Sequence, residues 1–277
     1  MINTGYKIPY LMKKPVVFPL DGIPLDSIVR ANSLVRLLRD FTLPVATVVN
    51  VTDGSAHSLF LDGVTISDSS ISAIGADVRI SDIHCQVGSG IDISQPTLSS
   101  MPDISIGGTI QKEASGIVVG SKTRLSGISM LVDSYTVPKN YTQISIWASV
   151  PSTPVGTKFP SYGVGAYINK QSANQMQTTS YGTTNTALNL TATGVDSSIG
   201  TVHTMAHDDD VGEYNIYLNE LSNSTTVSAN RRVAYTPATN YVFYSGGADW
   251  MCIADIMLDG TEYAEIVHNR LLKIFYP

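Results

Sequence analysis

The chain has 277 residues, 43% of them hydrophobic, with mean hydropathy +0.09; this excludes a disordered chain and suits one large β domain or two smaller ones. Only 14% of residues are charged, against roughly 25% in ordinary soluble domains, and Ser, Thr, Asn and Gly fill the polar positions instead. With net charge −6, and with Lys13-Lys14, Arg231-Arg232 and the spaced Arg30, Arg36 and Arg39 forming no basic stripe, nucleic acid is not expected as the main partner.

Residues 1–24 carry Pro9, Pro15, Pro19 and Pro24. Proline removes backbone donors, so this stretch is an extended arm, laid on a neighbouring subunit or strapped to its own domain. Lys13-Lys14 precede an apolar run broken by prolines and an aspartate, which is no signal peptide; a chain made in the cytoplasm, or delivered by another route, is expected. Next, Ile28, Ala31, Val35 and Leu38 are spaced 3-4-3, which predicts one amphipathic helix between Pro24 and Pro44. It packs on its own sheet or on symmetry mates. Ile28, Val35 and Leu38 are its candidate oligomerisation and attachment residues, and 1–44 forms an attachment unit.

From 45 to 115 the pattern turns to short strands. Asp53-Gly54 and Asp62-Gly63 are turn signals, and Val78-Ile80 and Ile91-Ile93 alternate as half-buried strands do. An ordinary antiparallel sheet is the preferred reading, with a β-solenoid or fibre shaft as the alternative. Gln95 to Gly116, with two prolines and a Gly-Gly, marks a soft boundary. Cys85 lies here and Cys252 far beyond. With no CxxC and no metal-like histidine spacing, they are read as buried thiols or a single disulfide, not a zinc site. From 116 to 277 longer strands alternate with turn clusters, the spacing of a sandwich or jelly roll. Tyr263, Ile266, Val267, Leu271 and Ile274 predict a short terminal helix or turn packed on the sheet. No run reaches the ~18 apolar residues of a membrane span, so no membrane insertion is expected.

"HDDDVGEYNIYLNEL", from His207, is the densest acidic cluster. Asp208, Asp209 and Asp210 are candidate calcium ligands, because calcium takes about six to eight oxygens. Successive side chains diverge, however, and Asp and Gly are the default turn formers. The preferred reading is a hairpin: strand to Ala206, turn at 208–212, strand from Tyr214 to Leu218. No other cofactor is implied. A glycosidase needs two carboxylates facing one cleft. Glu262 and Glu265 stand at helical spacing and read as a solvated face, and nucleophile elbows, phosphate loops and HExxH are missing. A non-enzyme is expected. Sugar sites in β-sandwiches use exposed aromatics, which makes Tyr162, Tyr181, Tyr244 and Trp250 the ligand-binding candidates. Trp147, alternating with apolar residues, reads as core.

Three motifs in order, "YTQISIWASV", "HTMAHDDDVGEYNIYLNEL" and "YVFYSGGADWMCIADIMLDGTEYAEIVHNRL", resemble the laminin-G-like / concanavalin A-like jelly roll over Gly116 to Pro277. Asn219-Glu220 stands where that family has Asn-Gly, and Asp255-Ile256-Met257-Leu258 lacks its usual arginine. No lectin metal motif maps onto the chain, so the resemblance implies the fold and not a carbohydrate site. It implies a mainly β chain, with the jelly roll preceded by the arm, one amphipathic helix and a small β-rich region. This order of segments is also similar to virion proteins of tailed phages, of the head-decoration, head-fibre and tail-fibre types. The resemblance implies a non-enzymatic virion structural protein, assembled in the host cytoplasm as a homo-oligomer such as a trimer. It would attach to capsid or tail proteins through its N-terminal region and project a jelly roll that binds host glycans. The alternatives are a secreted or surface carbohydrate-binding module, and a glycan-cleaving enzyme with an unrecognised site.

Overall fold

The structure, a computed structural model, describes residues 17–88, 91–112, 116–118, 120, 129–132, 135–148, 158–159, 166–172, 175–181, 187–193, 201–226, 234, 241–244 and 251–275. Strands form where β-branched and aromatic residues run between Gly- or Asp-bearing turns. In chain order they are β1 (Ile28–Ser33), β2 (Ala46–Asn50), β3 (Ala56–Leu59), β4 (Leu61–Asp62), β5 (Thr65–Ile66), β6 (Val78–Ile83) and β7 (Ile93–Ser94). Then come β8 (Asp103–Ile106), β9 (Thr109–Ile110), β10 (Ser129–Val132), β11 (Tyr141–Ala148), β12 (Lys158–Phe159), β13 (Ala166–Ser172) and β14 (Gln175–Tyr181). The last are β15 (Ala187–Thr193), β16 (Thr201–Asp208), β17 (Glu213–Leu218), β18 (Leu221–Thr226), β19 (Tyr241–Tyr244) and β20 (Met251–Asp259). The α-helices are α1 (Asp68–Ser72) and α2 (Ala264–Phe275).

One antiparallel sheet has the order β1-β20-β11-β16-β17-β18. A second runs β19-β10-β7-β6-β2-β3, with β8 and β9 attached at β6, and a third is β12-β13-β14-β15. The expected mainly β sandwich is what the chain forms. Tyr141, Met205, Leu218 and Met257 of the first sheet share one core with Val48, Ile80, Ile83, Ile93 and Ile104 of the second. The first sheet's other face, with Ile144, Ile146, Val202, Ile256 and Leu258, packs under Val267 and Leu271 of α2 and under Leu20, Ile23, Val35 and Leu37. The first sheet is therefore covered on both sides, and its strands need not alternate apolar with polar. The predicted terminal helix is present as α2, with Val267 and Leu271 fully buried.

The predicted amphipathic helix is absent, and this corrects the reading of 24–41. Leu25–Ser27 make one 3-10 turn and Ile28–Ser33 form β1, paired with β20. Arg30, Ala31, Asn32 and Ser33 are all buried, so neither face of the strand shows the polar stripe by which a period of two is recognised. Ile28 and Val35 pack within the chain's own core, and Leu38 is partly covered by it. The later part of the arm is likewise strapped to its own domain: Leu20 and Ile23 are buried, and the Arg270 guanidinium donates to the carbonyls of Pro19 and Asp21 at 3.2 and 2.6 Å. Residues 1–16 lie outside the described residues. The ranges 1–44, 45–115 and 116–277 exchange strands, because β1 pairs with β20 and β7 with β10.

Candidate functional site

The acidic hairpin is where the sequence placed it. β16 and β17 pair with His207 opposite Tyr214 and Asp208 opposite Glu213. Asp208 Oδ1 accepts from the backbone N–H groups of Asp210 and Val211 at 3.1 and 3.4 Å, an Asx turn. Asp209 points inward, fully buried, and accepts the Tyr214 hydroxyl at 2.9 Å. Asp210 points out to the Lys139 ammonium and accepts from Asn140 Nδ2 at 2.6 Å; the lysine's hydrogen bond, then the asparagine's, hold its carboxyl below the usual range. The three carboxylates go three ways, and among the described residues no group of three His, Cys, Asp or Glu could hold a metal. Asp208, Asp209 and Asp210 are thus turn-forming and packing residues, which corrects their candidacy as calcium ligands.

Of the aromatic candidates, Tyr162 and Trp250 lie outside the described residues. Tyr181 ends β14 opposite Ala187, and Tyr244 ends β19 opposite Ser129, so they belong to different sheets. Cys85 is buried, and the backbone N–H of Ala31 donates to its sulfur; the side chain of Cys252 lies outside the described residues.

Sequence reasoning missed a buried polar layer on the inner face of the first sheet. Arg30 and Asp255, both within 1% of full burial, form an ion pair at 2.6 Å. Gln143 Nε2 donates to the other Asp255 oxygen at 3.1 Å, and the guanidinium lies 4.9 Å from the Tyr135 ring centroid. Asn32 Nδ2 reaches across to the carbonyls of Ile83 and Ile91 at 3.0 Å each, joining the two sheets. A partner 225 residues away in sequence leaves no local signal. Two histidines of this region are held neutral. Burial pushes His203 down to about 3. His268 is also lowered, again by burial; its Nε2–H donates to the Asn219 carbonyl at 2.8 Å, which leaves Nδ1 to accept the Thr204 hydroxyl at 2.8 Å.

The outer face of the second sheet carries a more accessible constellation. His84 Nδ1 meets Asp92 Oδ2 at 2.7 Å, and its Nε2 meets Thr47 Oγ1 at 2.9 Å. The backbone N–H of Cys85 fixes the other Asp92 oxygen at 2.8 Å. Their hydrogen bond raises the His84 pKa and lowers that of Asp92. Both side chains are about a third exposed. Thr47 stands between Ser58 of β3 and Asp82 of β6, its register partners on either side. Three separate segments supply these groups, so no contiguous motif announced them.

No protein-family model matches the sequence, and no curated protein sequence does. In fold the chain is similar to a GH54 α-L-arabinofuranosidase soaked with a cyclic sulfate inhibitor, with TM-score 0.64 and 13% identity over 94% of this chain and 66% of that one. It is similar to the same degree, with 65% of the other chain covered, to an arabinofuranosidase complexed with arabinofuranosyl-α-1,2-xylobiose. A mutant GH54 enzyme soaked with 4-nitrophenyl α-L-arabinofuranoside gives TM-score 0.61 at the same identity. The chain thus spans less than two-thirds of the length of these structures. The likeness is one of fold, and it runs over nearly the whole chain instead of the C-terminal half that the motifs singled out.

Proposed function

We propose that the chain is a non-enzymatic, glycan-binding β-sandwich that serves as a structural protein of a virus particle. The observation that carries the glycan reading is the likeness over 94% of the chain to a sandwich solved with arabinofuranosyl-α-1,2-xylobiose. The buried carboxylates favour binding without cleavage. Asp103, Asp209 and Asp255 each accept a hydrogen bond from a neighbour: Arg79, Tyr214, and Arg30 with Gln143. A general acid needs a carboxyl whose pKa is raised. Asp53, Asp92 and Asp210 are instead pulled down by hydrogen bonds from Ser55, His84 and Lys139. The Thr47–His84–Asp92 order is that of a hydrolytic relay, but Thr47 sits inside a strand paired on both sides. Its main-chain groups belong to the ladder and offer no oxyanion donors.

The particle role rests on the low charge content and the neutral polar surface. Attachment through the N-terminal region would not use Leu20, Ile23, Ile28 or Val35, which are built into the chain's own core. Three experiments test the reading. On an array of neutral and acidic glycans the protein binds at least one class, and a blank array overturns glycan binding. With 4-nitrophenyl α-L-arabinofuranoside it releases no nitrophenol above background; turnover that tracks the purified protein overturns the non-enzymatic assignment. Mass spectrometry of purified particles from the source detects this chain, or the virion role is wrong.

A further inference from the structure

The exposed residues of β3 share the outer face of the second sheet. Ala56 and Ser58 are exposed while Leu59 is buried, and Phe60 follows in the same alternation with 52% of its surface open to solvent. A ring exposed in this way is available for stacking. Ser58 lies directly across from Thr47, and Thr47 across from Asp82. One step along the strands, the backbone N–H of Val45 donates to the Leu59 carbonyl and that of His84 to the Val45 carbonyl, each at 2.8 Å. Leu59 and His84 therefore flank Val45 from opposite sides, and Phe60 follows Leu59, two residues along the chain from Ser58.

We propose that this face is the glycan-binding surface, with Phe60 as the stacking platform and Ser58, Thr47, Asp82, His84 and Asp92 as the hydrogen-bonding row, and that its ligand is a neutral sugar unit. The inference rests on the glycan-binding reading above and assigns its site. A sugar ring has an apolar face of C–H groups, which an aromatic ring covers, and a rim of hydroxyls that donate and accept. The row supplies both roles: carboxylate acceptors from Asp82 and Asp92, and hydroxyls from Ser58 and Thr47. Thr47 and Asp92 are already fixed by His84, so little rotamer entropy is lost on binding. Two carboxylates on the face repel sialylated or uronic sugars, which is why the ligand is neutral.

Calorimetry tests this with arabinofuranosyl-α-1,2-xylobiose and with whichever neutral oligosaccharide binds best on the array. Phe60→Ala weakens binding roughly ten-fold or more, Phe60→Trp keeps or tightens it, and Thr47→Val weakens it several-fold. Tyr181→Ala and Tyr244→Ala bind as wild type, and all variants keep the wild-type melting temperature. If wild type binds a neutral glycan and Phe60→Ala and Thr47→Val bind it equally well, this surface is the wrong one and the glycan-binding reading survives. If only acidic glycans bind, the ligand class and the surface are both wrong. If nothing binds, the surface falls together with the reading it rests on.

Discussion

Acidification from pH 7 to 4.5 destabilises this fold, and the buried His203 contributes to the loss. His203 is fully buried on β16 and holds its proton only below about 3. Unfolded, it takes a proton near the ordinary value of 6.5. Between those values the unfolded chain binds a proton that the folded one refuses, so stability rises with pH across this window and falls as pH drops below 6.5. Each pH unit is worth about 1.4 kcal/mol, which puts the loss at pH 4.5 at roughly 3 kcal/mol. That is a large share of the roughly 5–15 kcal/mol that holds a typical domain folded. His268, also lowered by burial, adds in the same direction. His84 is raised, so its contribution is intact below 6.5 and is lost only as pH climbs through its folded value. The lowered carboxylates Asp53, Asp92 and Asp210 lose theirs only below their ordinary 3.8. Urea unfolding at pH 7, 6, 5 and 4.5 reads the slope. His203→Leu, which cannot titrate, loses roughly 3 kcal/mol less than wild type over this range. Equal slopes in the two proteins, or no slope in wild type, would refute the reasoning.

Three further outcomes follow from contacts described above. Arg30→Leu strands a buried Asp255 carboxylate and costs about 3–5 kcal/mol in urea unfolding, whereas Arg30→Leu with Asp255→Leu recovers much of that. Asn219 holds φ at 50° while its Oδ1 accepts the Val202 N–H at 2.8 Å; Asn219→Ala therefore costs about 2 kcal/mol, and Asn219→Gly less, because glycine keeps the backbone geometry. Millimolar calcium or a chelator leaves the melting temperature unchanged, because Asp208, Asp209 and Asp210 are each committed elsewhere; a rise with calcium would restore the metal reading.

Turn chemistry was the most legible part of the sequence. Asp53-Gly54 falls between β2 and β3, Asp62-Gly63 between β4 and β5, and the 208–212 turn joins β16 to β17. Each was readable because the residues that make a tight turn are local to it. The helix expected over 24–41 failed for a physical reason. A strand buried on both faces shows no alternation, and Ile28, Ala31, Val35 and Leu38 then imitate a helical stripe by accident of spacing. What decides the matter is a partner strand at the far end of the chain. The candidate surface was illegible for a similar cause: it is assembled by the fold, with Ser58, Thr47 and Asp82 aligned by strand register and His84 joined to Thr47 and Asp92 by hydrogen bonds. An imidazole beside a hydroxyl across a sheet has no spacing to read.

Pairing β1 with β20 sets a timetable for the molecule's birth. Arg30 leaves the ribosome 225 residues before Asp255. At about 5–20 residues per second the arginine waits roughly 10–45 s for its counter-ion. Throughout that interval the edge of β20's future neighbour stands open, and the nascent chain carries an unsatisfied strand and a charge destined for the interior. The β1–β20 pair can therefore form only late in synthesis, and until then that edge stands open.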